Sequence, residues 1–136
     1  LKNNINTLVV GKNKKWKHKS EMSKTSDQKF IQIPYEMLLG QLQYKCENVG
    51  INYIEVDESY TSGTSFLDHE RPEKYNYDKS RRVFRGLFKS NSGLLVNSDV
   101  NGSLQIMKKA FPNAFEERYG IEGVLTPIVI NAVKVV

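Results

Sequence analysis

Apolar and polar residues fall in blocks along this chain, and each block predicts one element. Ile5 to Val10 is a short apolar run ending at Gly11, the pattern of a buried strand. Gly11 to Lys29 is polar, rich in Ser, Thr and Asn, and predicts a long surface loop. Loops of that length inside a compact domain are uncommon and usually functional or disordered. Pro34 suits the first turn of a helix, where its missing N–H costs nothing. Leu38, Leu39, Leu42, Cys46 and Val49 then recur at helical spacing, and Gly50 marks the C-terminal cap. Ile51 to Val56 is a second strand. Strand, helix, strand is a βαβ unit, which implies a parallel pair with a right-handed crossover.

Asp57 to Lys79 is polar and turn-rich. Arg82 to Val96 predicts a β-hairpin turning at Ser90-Asn91-Ser92-Gly93. Strand alternation would put Arg82, Phe84, Gly86 and Phe88 on one face, with Arg81, Val83, Arg85, Leu87 and Lys89 on the other. On that pattern Phe84 and Phe88 are expected to be core aromatics beneath a solvated basic face. Asp99 occupies an N-cap position. Leu104, Ile106, Met107, Ala110 and Phe111 follow as an amphipathic helix that stops before Pro112. Val124 to Val136 is apolar enough to pack back as a strand or as a helix edge, and the pattern does not choose between them. The fold class is α/β.

Composition narrows this picture. At 136 residues, 39% of them apolar and with six Phe and seven Tyr, the chain is globular and can bury a core. No stretch approaches the roughly 18 consecutive apolar residues of a membrane span, so no membrane partner is expected. The chain opens on Leu1, inside what reads as a strand, and carries no secretory signal; a fragment of a longer product is expected. Cys46 is the one cysteine, which excludes an internal disulfide and an all-cysteine zinc site, and fits a cytoplasmic home. The net charge of +5 matters because it is clustered. Seven lysines lie between Lys12 and Lys29, among them Lys14, Lys15 and Lys17 beside Trp16, and Arg81, Arg82 and Arg85 form a second group. Such clusters favour a polyanionic partner, since guanidinium and ammonium groups hold phosphates.

Candidate chemistry lies at two places. Glu55, Asp57 and Glu58 stand at the C-terminal end of a strand in a parallel pair, the edge where open α/β sheets place their sites. Acids that merely cap a strand and face water are the plainer alternative. Asp99 opens a helix whose next residues, Asn101 and Gly102, are poor helix formers, a choice that admits close approach by backbone or ligand. Asp99 could serve only as a cap. With carboxylates nearby it could instead hold a hard divalent cation through oxygen. His18 and His69 sit in polar loops and are not ligand candidates. No glycine-rich phosphate loop or nucleophile elbow supports a small-molecule enzyme.

Taken in order, LVVGKNKKWK, FIQIPYEML, QYKCENVGI, ESYTSGTSFLD, RGLFKSNSGLLVNSDVNGS and KKAFPNAF resemble the C-terminal half of TnpB/OrfB-type transposases, RNA-guided nucleases of insertion sequences related to type V CRISPR effectors. The resemblance implies a RuvC-like RNase H fold of which this chain is the C-terminal portion, with residues 57–96 inserted as a degenerate zinc-ribbon-like segment. It implies metal-dependent DNA cleavage with Mg²⁺ or Mn²⁺, and partners that are DNA and guide RNA. Asp99, in NSDVNGS, matches the family's last catalytic Asp. The first catalytic Asp lies upstream of this chain, so the chain alone is expected to be inactive. Where common members carry a Glu after the first strand, Gly11-Lys12-Asn13 stands. The second acid then matches the EESYTS-type segment, with Glu58 first, Asp57 next and Glu55 third; Glu58 and Asp99 become the candidate metal ligands. The zinc-ribbon cysteines are absent, Ser65 and Asp68 lying in the matching stretch, so no zinc is expected and the hairpin must shape the insertion. A sheet missing its first strands would also expose an edge that invites self-association. The rival reading is a DNA- or RNA-binding module from a decayed mobile element, with no chemistry.

Overall fold

The apolar run before Gly11 and the one after Gly50 do pair in parallel, in register from Thr7↔Asn52 to Lys12↔Asp57. A computed structural model describes residues 4–13 and 35–114. The expectations for Lys14, Lys15, Trp16, Lys17 and the rest of that loop, for Pro34, and for Val124–Val136 lie outside the described residues. The chain divides into two compact units, Leu1–Asp57 and Glu58–Val136.

The first unit contains β1 (Thr7–Lys12), α1 (Tyr35–Asn48) and β2 (Asn52–Asp57). β1 runs on through Gly11 instead of ending there. Its ladder continues through Gly11↔Val56 to Lys12↔Asp57, and Lys12 Nζ is anchored on Glu55 Oε2 at 2.9 Å. The start of α1 is held to β1 by the Tyr35 hydroxyl, which donates to the Gly11 carbonyl at 2.7 Å. Only Leu39 and Cys46 are buried on this helix, two turns apart on one line, while Leu38 and Val49 are exposed. The buried stripe, packed against β2, is therefore narrower than the hydrophobic spacing implied. Gly50 ends the helix at φ +71°, a left-handed cap that few other residues adopt cheaply.

The second unit is built on β3 (Leu87–Lys89) and β4 (Leu95–Asn97), an antiparallel hairpin with Phe88 opposite Val96, followed by α2 (Ser98–Ala110). Phe66, Phe88 and Val96 are its buried apolar core, with Leu67, Val100 and Leu104 packed around them. The hairpin turns at Ser90–Gly93 as expected, but it is short. Lys79–Arg81 is a 3₁₀ turn, and Phe84 to Leu87 is a tight turn closed by Leu87 N–H on the Phe84 carbonyl at 3.0 Å, with Gly86 at φ +80°. The expected two-faced alternation from Arg81 to Lys89 is lost, because the residues before Leu87 belong to no strand and Phe84 makes only an isolated bridge back to Leu87. Phe88 is fully buried, as expected, whereas Phe84 is 75% exposed and is not a core aromatic.

The underside of α2 also departs from its apolar pattern. Its buried residues are Ser98, Asn101 and Gln105, while Met107 and Phe111 are exposed. The helix lies on irregular backbone, and buried peptide groups there need partners. Asn101 supplies two: Nδ2 donates to the Thr64 carbonyl at 2.8 Å and Oδ1 accepts from Phe66 N–H at 2.9 Å. Gln105 Nε2 donates to the Glu70 carbonyl at 3.3 Å. No helix among the described residues is long and apolar enough to cross a membrane.

Candidate functional site

The acids at the end of β2 are placed in different circumstances. Glu55 accepts from Lys12 Nζ at 2.9 Å and from the Tyr53 hydroxyl at 3.1 Å. Lys12, which also lies 3.6 Å from Glu36, is the main cause holding the Glu55 carboxyl below its usual range. The same hydrogen bond lifts Lys12 above its own, and burial, then the bond to Glu55, pushes the Tyr53 phenol up to about 12. Glu55 and Lys12 are thus engaged with each other. Asp57 is the last residue of β2 and is half-buried.

Glu58 opens the second unit. Its carbonyl accepts from Thr61 N–H at 3.2 Å and Thr61 Oγ1 at 2.7 Å. Tyr60 adopts φ +67°, its ring packs edge-on against Tyr77 at 5.7 Å, and a Cβ at Gly63 would fall 2.5 Å from the Tyr77 ring. The Ser59 carbonyl takes the Lys109 ammonium at 2.6 Å. Much of the Glu58–Gly63 segment therefore has structural work that presents Glu58 at the start of a fixed turn.

Asp99 is not the N-cap. Asn97, ending β4 in an extended conformation, caps α2: its Oδ1 accepts from Asp99 N–H at 2.9 Å and Val100 N–H at 3.1 Å. Strand geometry decides this, since the cap needs non-helical backbone and Asn97 already has it. Asp99 sits exposed in the first turn, where the helix dipole favours an anion, and its carboxylate is not consumed by capping. The Ser59–Lys109 bond ties the backbone beside Glu58 to the last turn of α2, about 15 Å of helix rise from Asp99. No hydrogen bond joins the two carboxylates, and no group of three or more His, Cys, Asp or Glu among the described residues is arranged to hold a metal ion.

The cysteine-free stretch is knotted by polar groups that its local sequence pattern does not announce. Arg81 NH1 meets Glu70 Oε2 at 2.7 Å and NH2 donates to Asn91 Oδ1 at 2.6 Å. Asn91 returns Nδ2 to Glu70 Oε1 at 3.2 Å and its N–H to Asp68 Oδ2 at 2.7 Å. Ser65 N–H donates to Glu70 Oε2 at 2.8 Å, and Ser65 Oγ accepts from Asp68 N–H at 3.2 Å. Arg81 is consequently occupied inside the protein, whereas Arg82 and Arg85 are exposed. A further basic place, which the sequence reading missed, is a hollow of about 640 Å³ lined by His69, Arg71, Lys108 and Lys109 with Glu73. Lys108 donates to the His69 and Glu70 carbonyls there, and burial, then the charge of Arg71, lowers its pKa.

Fold and surface together define a basic α/β protein with outward guanidinium groups and an acid left open at a helix start. The family model for the Cas12f1-like TNB domain matches residues 35–106, more than half of the chain, and the chain belongs to that family. This is the TnpB-type nuclease grouping that the ordered motifs resemble, whose members bind nucleic acid. No curated protein and no solved structure matches the chain.

Proposed function

We propose that this chain is the C-terminal part of a RuvC-like, RNase H-fold endonuclease that cuts DNA under RNA guidance, with residues 57–96 as its degenerate zinc-ribbon-like insertion. One observation carries the reading: within a family match that extends to residue 106, Asn97 takes over the capping of α2 and leaves the Asp99 carboxylate available. Hard oxygen donors of this kind suit Mg²⁺ or Mn²⁺, which when bound would activate water and stabilise the leaving oxygen of a phosphodiester. Asp99 is the anchor of the assignment and Glu58 its proposed co-ligand, with Asp57 the alternate. The Ser59–Lys109 bond makes Glu58 the harder half of that pair, so it is tested separately.

Asp99→Ala in the full-length protein is expected to abolish Mg²⁺-dependent DNA cleavage, measured as nicking of a guide-matched plasmid. Glu58→Gln should do the same, and parental cutting by either variant removes that residue from the site. The second reading, a binder without chemistry, is favoured by the engagement of Glu55 with Lys12 and by basic groups that need no metal. Calorimetric titration with Mn²⁺ separates the two, because only the nuclease reading requires Asp99-dependent metal binding. Both outer edges of the β1–β2 pair lack a partner strand among the described residues, and there the rest of the sheet, or a second copy, is proposed to add.

A further inference from the structure

Phe84 is a large apolar ring in solvent, on a turn that has no packing use for it. It is 75% exposed, and Val83 beside it is 52% exposed. The turn itself is held by backbone hydrogen bonds. Gly86 at φ +80° closes it, Leu87 N–H bonds the Phe84 carbonyl, and the Gly86 carbonyl accepts from Ser98 N–H at 2.9 Å, tying the turn to the start of α2. Arg82 and Arg85, the nearest charges in sequence, are both exposed. Arg81, by contrast, is turned inward to Glu70 and Asn91, so it anchors the base of the same loop.

An exposed aromatic ring on a hydrogen-bonded turn, with exposed arginines two residues before it and one residue after it, matches one chemistry well. Bases of a single strand stack on the ring in a sequence-tolerant way while neighbouring phosphates meet the arginines. In a duplex the base faces are already covered by their neighbours, leaving only phosphates for the arginines. An acidic peptide would satisfy the charges but gives no reason for an exposed aromatic ring among them. We infer that the Arg82–Gly86 turn is a stacking platform for an unpaired base of single-stranded nucleic acid, with Phe84 the stacking residue and Arg82 and Arg85 the phosphate contacts. This rests on the nucleic-acid reading above and narrows it to a strand state and a surface.

The test is fluorescence anisotropy of the 136-residue chain with a labelled oligothymidylate, the same backbone carrying abasic spacers, and a duplex of equal length. Phe84→Ala and Phe84→Leu should weaken oligothymidylate binding by about tenfold or more, and Phe84→Trp should retain it. The abasic strand and the duplex should be nearly indifferent to these changes. Arg82→Ala and Arg85→Ala should each flatten the dependence of log K on log salt for the single strand by about 0.7. Because the ring is exposed, the melting temperature should not move in any Phe84 variant, which separates lost stacking from lost folding. Unchanged oligothymidylate binding by Phe84→Ala, or an equal loss on duplex and abasic strands, overturns the platform and leaves the nucleic-acid reading intact. If the parental chain binds none of the three probes even at low salt, the nucleic-acid reading itself fails, and the platform with it.

Discussion

The two units of this chain are stabilised in opposite ways. In Leu1–Asp57 the organising contact is a backbone ladder between β1 and β2, with Leu39 and Cys46 packed from one helix and the ionic group of Lys12, Glu55 and Glu36 left near the surface. In Glu58–Val136 a core of Phe66, Phe88 and Val96 is small, and the irregular segment before it is held by side chains that bond to backbone: Asn101 to Thr64 and Phe66, Glu70 to Ser65, Asp68 to Asn91. The difference teaches where polarity can carry a fold. A ladder satisfies its own peptide groups, whereas a loop-rich unit must find a partner for each one, and buried amides and carboxylates supply them.

The contrast can be broken hardest at Arg81. Its side chain and that of Glu70 are 17% and 14% exposed, so Arg81→Ala strands a mostly buried carboxylate and should cost about 3 kcal/mol in chemical denaturation. Adding Glu70→Gln should recover part of that loss, and no recovery would mean that the ion pair is not the cause. The same edit in the first unit, Lys12→Ala, should leave the midpoint within error, since a solvent-screened pair contributes little. Equal losses from the two would erase the distinction between the units.

Asn101→Ala comes next, at about 2 kcal/mol, because it leaves the Thr64 carbonyl and the Phe66 N–H without their partner. Asn97→Ala should cost about 1 kcal/mol as a lost cap, whereas Asp99→Asn should cost only a few tenths through the helix dipole. Reversal of that order in thermal melts would return the cap to Asp99 and weaken its availability as a ligand.

The smallest effect belongs to the first unit and to pH. Tyr53 is raised from 10.0 to about 12, so its phenol binds a proton in the folded chain over a range where the unfolded chain has lost it. Its contribution is fully present below pH 10 and disappears as pH climbs towards 12. Tyr53→Phe should flatten that decline, and the missing phenolate absorbance should be the one that titrates late.

Legibility followed the same division. The parallel pair, the Gly50 cap and the Ser90–Gly93 turn were readable because they depend on local apolar spacing and on glycines where the backbone turns. The Asp99 cap was misplaced by two residues because Asp and Asn cap equally well, and only the end of β4 at Asn97 selects between them. Phe84 departs from the expected core position because alternation presumes a continuous strand, and before Leu87 there is only an isolated bridge that folds Phe84 back on Leu87. The Arg81–Glu70–Asn91 knot joins positions spread over two turns, which no periodicity links.

By itself the sequence determined the α/β class, the order of its elements and the family, since ordered motifs and hydrophobic spacing are properties of the chain as written. Tertiary structure alone decided which charges face inward and which remain for a partner. Arg81 and Arg82 are neighbours of the same type, and a carboxylate eleven residues away in the chain, brought to 2.7 Å by folding, turns one of them into an internal brace.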